Sequence, residues 1–140
     1  MSRILGVDLG TERTGLAIAS FGVARPLIVI EAHDEGDIVA GIVRHASEQD
    51  AREIVFGLAI SLKGTEGPAA RRQRVLAQRV EKESGLQVHL WDERLTTAEA
   101  ERTIVGSGAD RQRRKEVVDM VAATLLLQNF IDARAARGEG

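Results

Sequence analysis

Two short apolar runs near the start of the chain, Ile4–Val7 and Leu16–Ala19, predict two β-strands. A turn rich in glycine, threonine and charge joins them, so we expect an antiparallel hairpin. A third apolar run, Ala24–Ala32, carries Pro26 near its start, which is typical of an edge strand because proline cannot donate a ladder hydrogen bond. The chain is therefore predicted to begin with three antiparallel strands.

The middle of the chain alternates between helical and strand patterns. Apolar residues recur with helical spacing over Asp34–Gln49, where Asp34 is a candidate N-cap. The near-continuous apolar run Glu53–Ile60 is typical of a strand buried on both faces. A second helix is predicted over Ala69–Ser84, with Gly85 as its C-cap. Helices between strands imply crossover connections, which add parallel strands to the sheet.

The last third of the chain repeats this alternation. A strand is predicted over Gln87–Asp92, and a capping-box pattern predicts a short helix from Thr96 to about Val105. A basic loop is expected over Gly106–Arg114, followed by a final helix from Lys115 to about Arg134. The order of elements predicts an α/β fold with a mixed sheet.

Length and composition set the class of protein. A chain of 140 residues with 44% hydrophobic and 29% charged residues is typical of one globular domain, which we expect to span residues 1–134 and to leave 135–140 as a flexible tail. The absence of cysteine excludes disulfides and thiolate metal sites, and it fits a cytoplasmic location. We see no signal-peptide pattern and no apolar run long enough to span a membrane.

Acidic residues interrupt the apolar segments at three places. Asp8 ends the first strand, Asp92 and Glu93 close the last strand, and Asp119 heads the apolar stripe of the final helix. Each acid alone fits a plain structural role in a turn, at a strand end or in an ion pair. Gathered together they would repel one another unless divalent cations neutralised them. Mg²⁺ bound by carboxylates supports phosphodiester hydrolysis, so the joint pattern predicts a nuclease.

The motifs in this order resemble those of the YqgF family, also called RuvX-type, of ribonuclease H-like proteins. The resemblance covers Ile4 to Asp132 and is carried by GVDLGTERTGLAIAS, GLAISLKGTEGPAA, WDERLTTAEAE and KEVVDMVAATLLLQNFID. The family is described both as Holliday junction resolvases and as nucleases that process the 5′ end of the 16S ribosomal RNA precursor. The resemblance thus implies a ribonuclease H-like mixed sheet and one of these two substrates.

The resemblance also implies a metal site. The metal-binding carboxylates map onto Asp8, the acids of the Asp-Glu-Arg segment and Asp119; of that segment we favour Glu93, with Asp92 in reserve. They would hold Mg²⁺ or Mn²⁺, with two ions expected when substrate is bound. The chain departs from the family pattern at Ala59, Phe21 and Glu12, where proline, aspartate and a basic residue are usual. None of these departures removes a proposed ligand.

The net charge of −2 means that nucleic-acid binding must depend on local charge. Basic residues near the candidate acids and in two clusters are predicted to contact the phosphate backbone: Arg13, Lys63, Arg71, Arg72, Arg94, Arg114 and Lys115. Two other classes of protein compete with a nuclease, a nucleic-acid-binding factor without catalysis and a sugar-kinase-like ATPase. A symmetric homodimer would suit a four-way junction, although no heptad pattern predicts one.

Overall fold

A single five-stranded sheet forms the centre of the described structure. The computed structural model describes residues 2–61, 63–93 and 111–138, and within 111–119 it describes the backbone alone. The strands are β1 Arg3–Leu9, β2 Thr14–Ser20, β3 Val23–Ile30, β4 Ala51–Leu58 and β5 Gln87–Asp92. The helices of this part of the chain are α1 Glu35–Glu48, α2 Pro68–Ser84 and α3 Arg111–Ala136.

The strands lie in the order β3-β2-β1-β4-β5. β1 pairs antiparallel with β2, and β2 pairs antiparallel with β3. β4 pairs in parallel with β1 on one side and with β5 on the other. The predicted mixed sheet is confirmed, and so is the edge position of the strand that contains Pro26. The parallel strands β1, β4 and β5 all end at the same edge of the sheet, which we call the carboxyl edge.

Helices cover both faces of the sheet. On one face, α1 and α2 bury the larger core, in which Leu5 and Phe56 of the sheet pack with Ile42 and Leu76 of the helices. On the other face, α3 packs on a smaller cluster that includes Ile4, Ala17, Val55, Ala123 and Leu127. We call this second side the α3 face. The alternation of each strand decides which of its residues belong to which face.

Two predicted capping residues lie at helix termini, Asp34 before α1 and Gly85 after α2. The Asp34 carboxylate accepts a hydrogen bond from the Asp37 N–H at 3.1 Å, which confirms Asp34 as the N-cap of α1. Gly85 follows α2 with a φ of 72°, a left-handed conformation that glycine adopts without steric cost. α2 begins one residue early because Pro68 fits the first turn of a helix.

The final helix is longer than predicted at both ends. α3 begins at Arg111 and ends at Ala136, so the expectation of a loop through Arg114 is wrong. Arg111–Arg114 follows glycines and is strongly basic, but arginine and glutamine are good helix formers, and the helix includes them. The predicted helix from Thr96 to Val105 lies outside the described residues. No helix in the described part of the chain is both long and apolar enough to cross a membrane.

Candidate active site

Asp8 lies near the carboxyl end of β1, with its side chain on the α3 face. Gly6, two residues earlier on the same face, lies against α3: a Cβ on Gly6 would come within 2.9 Å of the Leu127 Cβ. Alternation therefore directs Asp8 toward the same helix, at the carboxyl edge of the sheet. The residue is only half-buried, so its carboxylate is within reach of solvent and ligands.

Glu93 follows β5 directly and lies on the same face as Asp8. The rings of His89 and Trp91 contact Phe130 of α3, with centroid separations of 5.0 and 5.4 Å. The odd-numbered residues of β5 thus face α3, and alternation places Asp92 on the opposite side. The sequence alone left Asp92 and Glu93 as alternatives, and the packing of α3 against the odd-numbered side chains of β5 distinguishes their positions.

The Glu93 side chain folds back over Gly57 of β4. A Cβ on Gly57 would overlap Oε2 of Glu93, so the absence of a side chain makes room for the carboxyl group. The Glu93 carboxyl group lies beside the side chains of Gln73 and Asp8, and both neighbours favour its charged form. Its Oε2 atom is nevertheless buried without a hydrogen-bond partner among the described residues. A buried carboxyl oxygen of this kind is an open position for a cation.

The surroundings of Glu93 oppose its negative charge. Burial raises the pKa of Glu93 above its ordinary value of 4.5, the neighbouring side chains of Gln73 and Asp8 partly offset this effect, and the charge of Asp92 adds to it. Two carboxyl groups in contact must share a proton or a cation to avoid repulsion. The pair formed by Asp8 and Glu93 is therefore suited chemically to a divalent metal ion.

Gln73 of α2 is a site residue that the sequence analysis missed. Its side chain is 3% exposed, and its Oε1 accepts a hydrogen bond from the Ala59 N–H at 2.7 Å. The signal was present in the sequence, because Gln73 precedes Leu76, Ala77 and Val80 at helical spacing and continues their buried stripe. A polar residue in such a stripe needs buried partners.

Asp119 lies in the first half of α3, and its side chain is outside the description. The helix runs antiparallel to β4: Arg134 pairs with Glu53 near the start of the strand, and Leu126 lies beside Gly57 near its end. Asp119 is about two turns beyond Leu126 in the same direction, toward the carboxyl edge. Among the side chains that the structure describes, no group of three or more His, Asp or Glu residues could hold a metal ion.

Arg13 and Arg72 flank the turn that follows Asp8. The Arg72 guanidinium donates to the Gly10 carbonyl at 3.1 Å and lies 3.6 Å from the Glu35 carboxylate. Arg13 lies 3.9 Å from Glu31, a longer ion pair whose acid is largely exposed. The turn itself is tight, since the Gly10 N–H donates to the Arg13 carbonyl at 2.9 Å. Both predicted phosphate contacts are thus close to Asp8, each with an acidic neighbour.

The other predicted basic contacts differ in their surroundings. Lys63 and Arg71 are exposed around the start of α2 and form no ion pair with the described residues. Arg74 in the same segment is neutralised by two hydrogen bonds to Glu66, at 2.6 and 2.7 Å. The basic character of this segment is therefore weaker than the sequence suggested. Arg94 lies outside the described residues, and the side chains of Arg114 and Lys115 lie outside the described part of α3.

Comparisons with known proteins find relatives that match almost the whole chain. A family model described as "RuvX: Holliday junction resolvase" matches residues 2–133. A protein of Myxococcus xanthus (strain DK1622), named "Putative pre-16S rRNA nuclease", is 37% identical over 133 residues, which cover 94% of this chain and 88% of that protein. A protein of the same name from Anaeromyxobacter dehalogenans (strain 2CP-1 / ATCC BAA-258) is 38% identical, with coverage of 95% and 98%.

A solved structure shares the fold despite low sequence identity. The chain matches Thermus thermophilus RuvC in complex with a Holliday junction substrate, with a TM-score of 0.62 and 16% identity. The match covers 99% of this chain and 98% of that one. The ribonuclease H-like fold predicted from the motifs is confirmed.

Proposed function

The chain belongs to the RuvX family, and we propose that it is a divalent-metal-dependent nuclease that hydrolyses phosphodiester bonds in structured nucleic acid. The 5′ end of precursor 16S ribosomal RNA is the substrate that we favour, because relatives spanning almost the whole chain carry that name. Such a substrate implies a cytoplasmic protein. Branched DNA is the second candidate, favoured by the description of the family model.

One observation carries the proposal: the Asp8 and Glu93 carboxyl groups meet at the carboxyl edge, with the Glu93 Oε2 atom left without a hydrogen-bond partner among the described residues. Carboxylates in this arrangement fit Mg²⁺ or Mn²⁺, which bind through oxygen ligands. Two such ions, held there together with substrate, would supply activation of the attacking water and stabilisation of the leaving oxygen. Asp119 is proposed as the third ligand, and Asp92 is less suited because it lies on the opposite face.

The basic residues are proposed to hold the phosphate backbone beside these acids. Arg13 and Arg72 flank the turn after Asp8, and their acidic neighbours are partly exposed, so a phosphate could displace either ion pair. Lys63 and Arg71 would extend this surface along the start of α2, where backbone N–H groups also favour anions. Arg94, Arg114 and Lys115 complete the proposed set. Contacts of this kind position a substrate without reading its sequence.

A cleavage assay tests the proposal. Wild-type protein and Asp8→Asn are incubated with the 5′ region of precursor 16S ribosomal RNA and with a four-way DNA junction, with Mg²⁺ or Mn²⁺ and with a chelator. We expect metal-dependent cleavage by the wild type and none by Asp8→Asn, while both proteins bind the substrate equally.

Equal cleavage by the two proteins would sink the metal-site assignment. Binding without cleavage under any metal condition would instead favour the non-catalytic nucleic-acid-binding factor. Preference for one substrate decides between RNA and branched DNA. Sedimentation of the protein with the junction tests the homodimer, which would present two such sites to a four-way junction.

A further inference from the structure

The amide of Gln73 lies between the end of β4 and the Glu93 carboxyl group. α2, which carries Gln73, packs on the face opposite α3, so the side chain must extend past the carboxyl edge to reach Glu93. It is one of two buried polar residues in the described part of the chain, the other being Thr14. Leucine or methionine would fill a similar volume at a buried helix position, so packing alone does not account for an amide.

The hydrogen bond to Ala59 fixes which way the amide points. Because Oε1 accepts the Ala59 N–H at 2.7 Å, the opposite end of the amide carries the NH₂ group, which has two donors and no acceptor. That end is the one available to Glu93, whose carboxylate accepts. Gln73 therefore presents a donor, and not an acceptor, on the side of Glu93, whose own N–H donates to the Leu58 carbonyl, one residue before Ala59, at 3.3 Å.

This contact restricts where the Glu93 carboxyl group can lie. On one side it lies against Gly57, where an added Cβ would overlap Oε2. On the other side the Gln73 amide holds it, and Asp8 is its neighbour across the site. A long, flexible glutamate that follows the end of a strand would otherwise lose rotamer entropy on binding a metal ion.

We propose that Gln73 is a positioning residue, which holds the Glu93 carboxylate in the orientation that a divalent metal ion requires. The inference rests on the proposed function, because it takes Glu93 as a metal ligand. Groups that hydrogen-bond to metal ligands typically contribute about 10–100-fold to metal affinity when they are removed one at a time. Gln73 occupies that position for Glu93.

Calorimetric titration with Mn²⁺ tests this role without relying on cleavage. Gln73→Met keeps the side-chain length and removes the amide, with its acceptor for Ala59 and its donors on the side of Glu93, and Gln78→Met makes the same change at an exposed position of α2. We expect the Mn²⁺ dissociation constant of Gln73→Met to rise about 10–100-fold and that of Gln78→Met to stay at the wild-type value. Cleavage by Gln73→Met should recover at raised Mn²⁺ concentration, because the ligands themselves remain.

The outcomes separate this inference from the proposed function. Wild-type Mn²⁺ affinity in folded Gln73→Met, beside lost affinity in Asp8→Asn, would overturn the role of Gln73 alone. A wild-type protein that binds no Mn²⁺ would overturn both. If Gln73→Met does not fold, Gln73→Asn replaces it in the test, because Asn keeps an amide that is too short to reach both partners. Unchanged Mn²⁺ affinity of Gln73→Asn would overturn the inference. Weakened Mn²⁺ affinity at wild-type stability would support it.

Discussion

Two glutamates at opposite ends of the α3 face show how surroundings decide the role of an acid. Glu53, near the start of β4, receives hydrogen bonds from both terminal nitrogens of Arg134, at 2.8 and 3.1 Å, and lies 2.8 Å from His89. The Arg134 hydrogen bonds lower its pKa below the ordinary 4.5, although burial acts in the opposite direction. Glu93, at the carboxyl edge, has its pKa raised by burial and has two acids, Asp8 and Asp92, as neighbours.

The difference teaches that proximity to α3 does not by itself mark a functional acid. Both glutamates are held by side chains on neighbouring elements, but only Glu53 has a basic side chain that neutralises its charge within the described residues. A carboxylate whose charge is neutralised by neighbouring side chains needs no further ligand. A carboxyl group whose pKa is raised by burial, and whose buried oxygen has no hydrogen-bond partner, is in an unfavourable environment until a ligand binds. Perturbed pKa values of this kind are typical of functional sites, including sites that bind a cation.

Replacing either glutamate by glutamine should separate the two roles, and Glu93→Gln has the largest expected effect. Loss of a metal ligand should reduce cleavage by about 100-fold or more, since even outer-shell partners of such ligands contribute 10–100-fold. The free energy of unfolding should stay at the wild-type value or rise, because an amide carries no charge to be opposed by burial or repelled by Asp92. Single-turnover cleavage and urea denaturation measure the two quantities.

Glu53→Gln is the matched control for activity. It should cleave at the wild-type rate, because Glu53 lies at the far end of the sheet from the carboxyl edge. If Glu53→Gln lost as much activity as Glu93→Gln, the functional contrast between the two ends would be wrong.

Two glycines on the α3 face give a second, smaller test. Gly57→Ala would place a methyl group against the far end of the Glu93 side chain and 3.3 Å from the Leu126 Cδ2, so we expect cleavage to fall by up to about 100-fold, with a smaller loss of stability than in Gly6→Ala. Gly6→Ala would place one against the Leu127 Cβ at 2.9 Å and the Ala123 carbonyl at 3.2 Å. Because those atoms belong to the packed helix, this change should cost about 1–3 kcal/mol of stability.

Cleavage rates and melting curves of both variants check this contrast. Alanine at the two positions should affect different quantities: mainly activity in Gly57→Ala and mainly stability in Gly6→Ala. The same loss of stability in both proteins would show that Gly57 is needed for packing and not for the placement of Glu93.

Hydrophobic periodicity is sufficient to predict the sheet and the described helices, except for the start of α3. The strand Gln87–Asp92 has the predicted bounds, and the cap residues Asp34 and Gly85 act as predicted. Periodicity works here because each strand and helix buries one face or both against a neighbour. It fails at the start of α3, because Arg111–Arg114 has no apolar stripe to mark a helix, although arginine and glutamine favour helices.

The candidate site was less predictable, because its contacts join residues that are distant in the sequence. The alternation of β5 could not choose between Asp92 and Glu93, since the choice depends on which face of the sheet α3 covers. Gln73 carried a signal only as a polar residue in an apolar stripe. The pairing of Glu66 with Arg74 is likewise not visible in the sequence, because it depends on how the loop before α2 folds.

Glu53→Gln should also measure what the neutralised carboxylate contributes to stability. Hydrogen bonds to charged groups contribute about 1.5–3 kcal/mol, and the side chain of Glu53 is only 21% exposed. We therefore expect the free energy of unfolding at pH 7 to fall by an amount in this range. Chemical denaturation measures it, and Glu48→Gln, at an exposed ion pair of α1, is a control that should change stability by well under 1 kcal/mol.

The smallest expected effect is the pH dependence of the stability difference between the wild type and Glu53→Gln. Because the pKa of Glu53 is lowered in the folded protein, the unfolded chain binds a proton first as the pH falls below the ordinary value of 4.5. Protons bound preferentially by the unfolded state reduce stability, so the contribution of Glu53 is complete above that value and is lost as the pH falls through the folded pKa. The difference between wild type and Glu53→Gln should therefore shrink between pH 5 and the acid limit of folding, as urea denaturation at a series of pH values will measure. A difference that stays constant over this range would mean that Arg134 and His89 do not stabilise the charged form of Glu53.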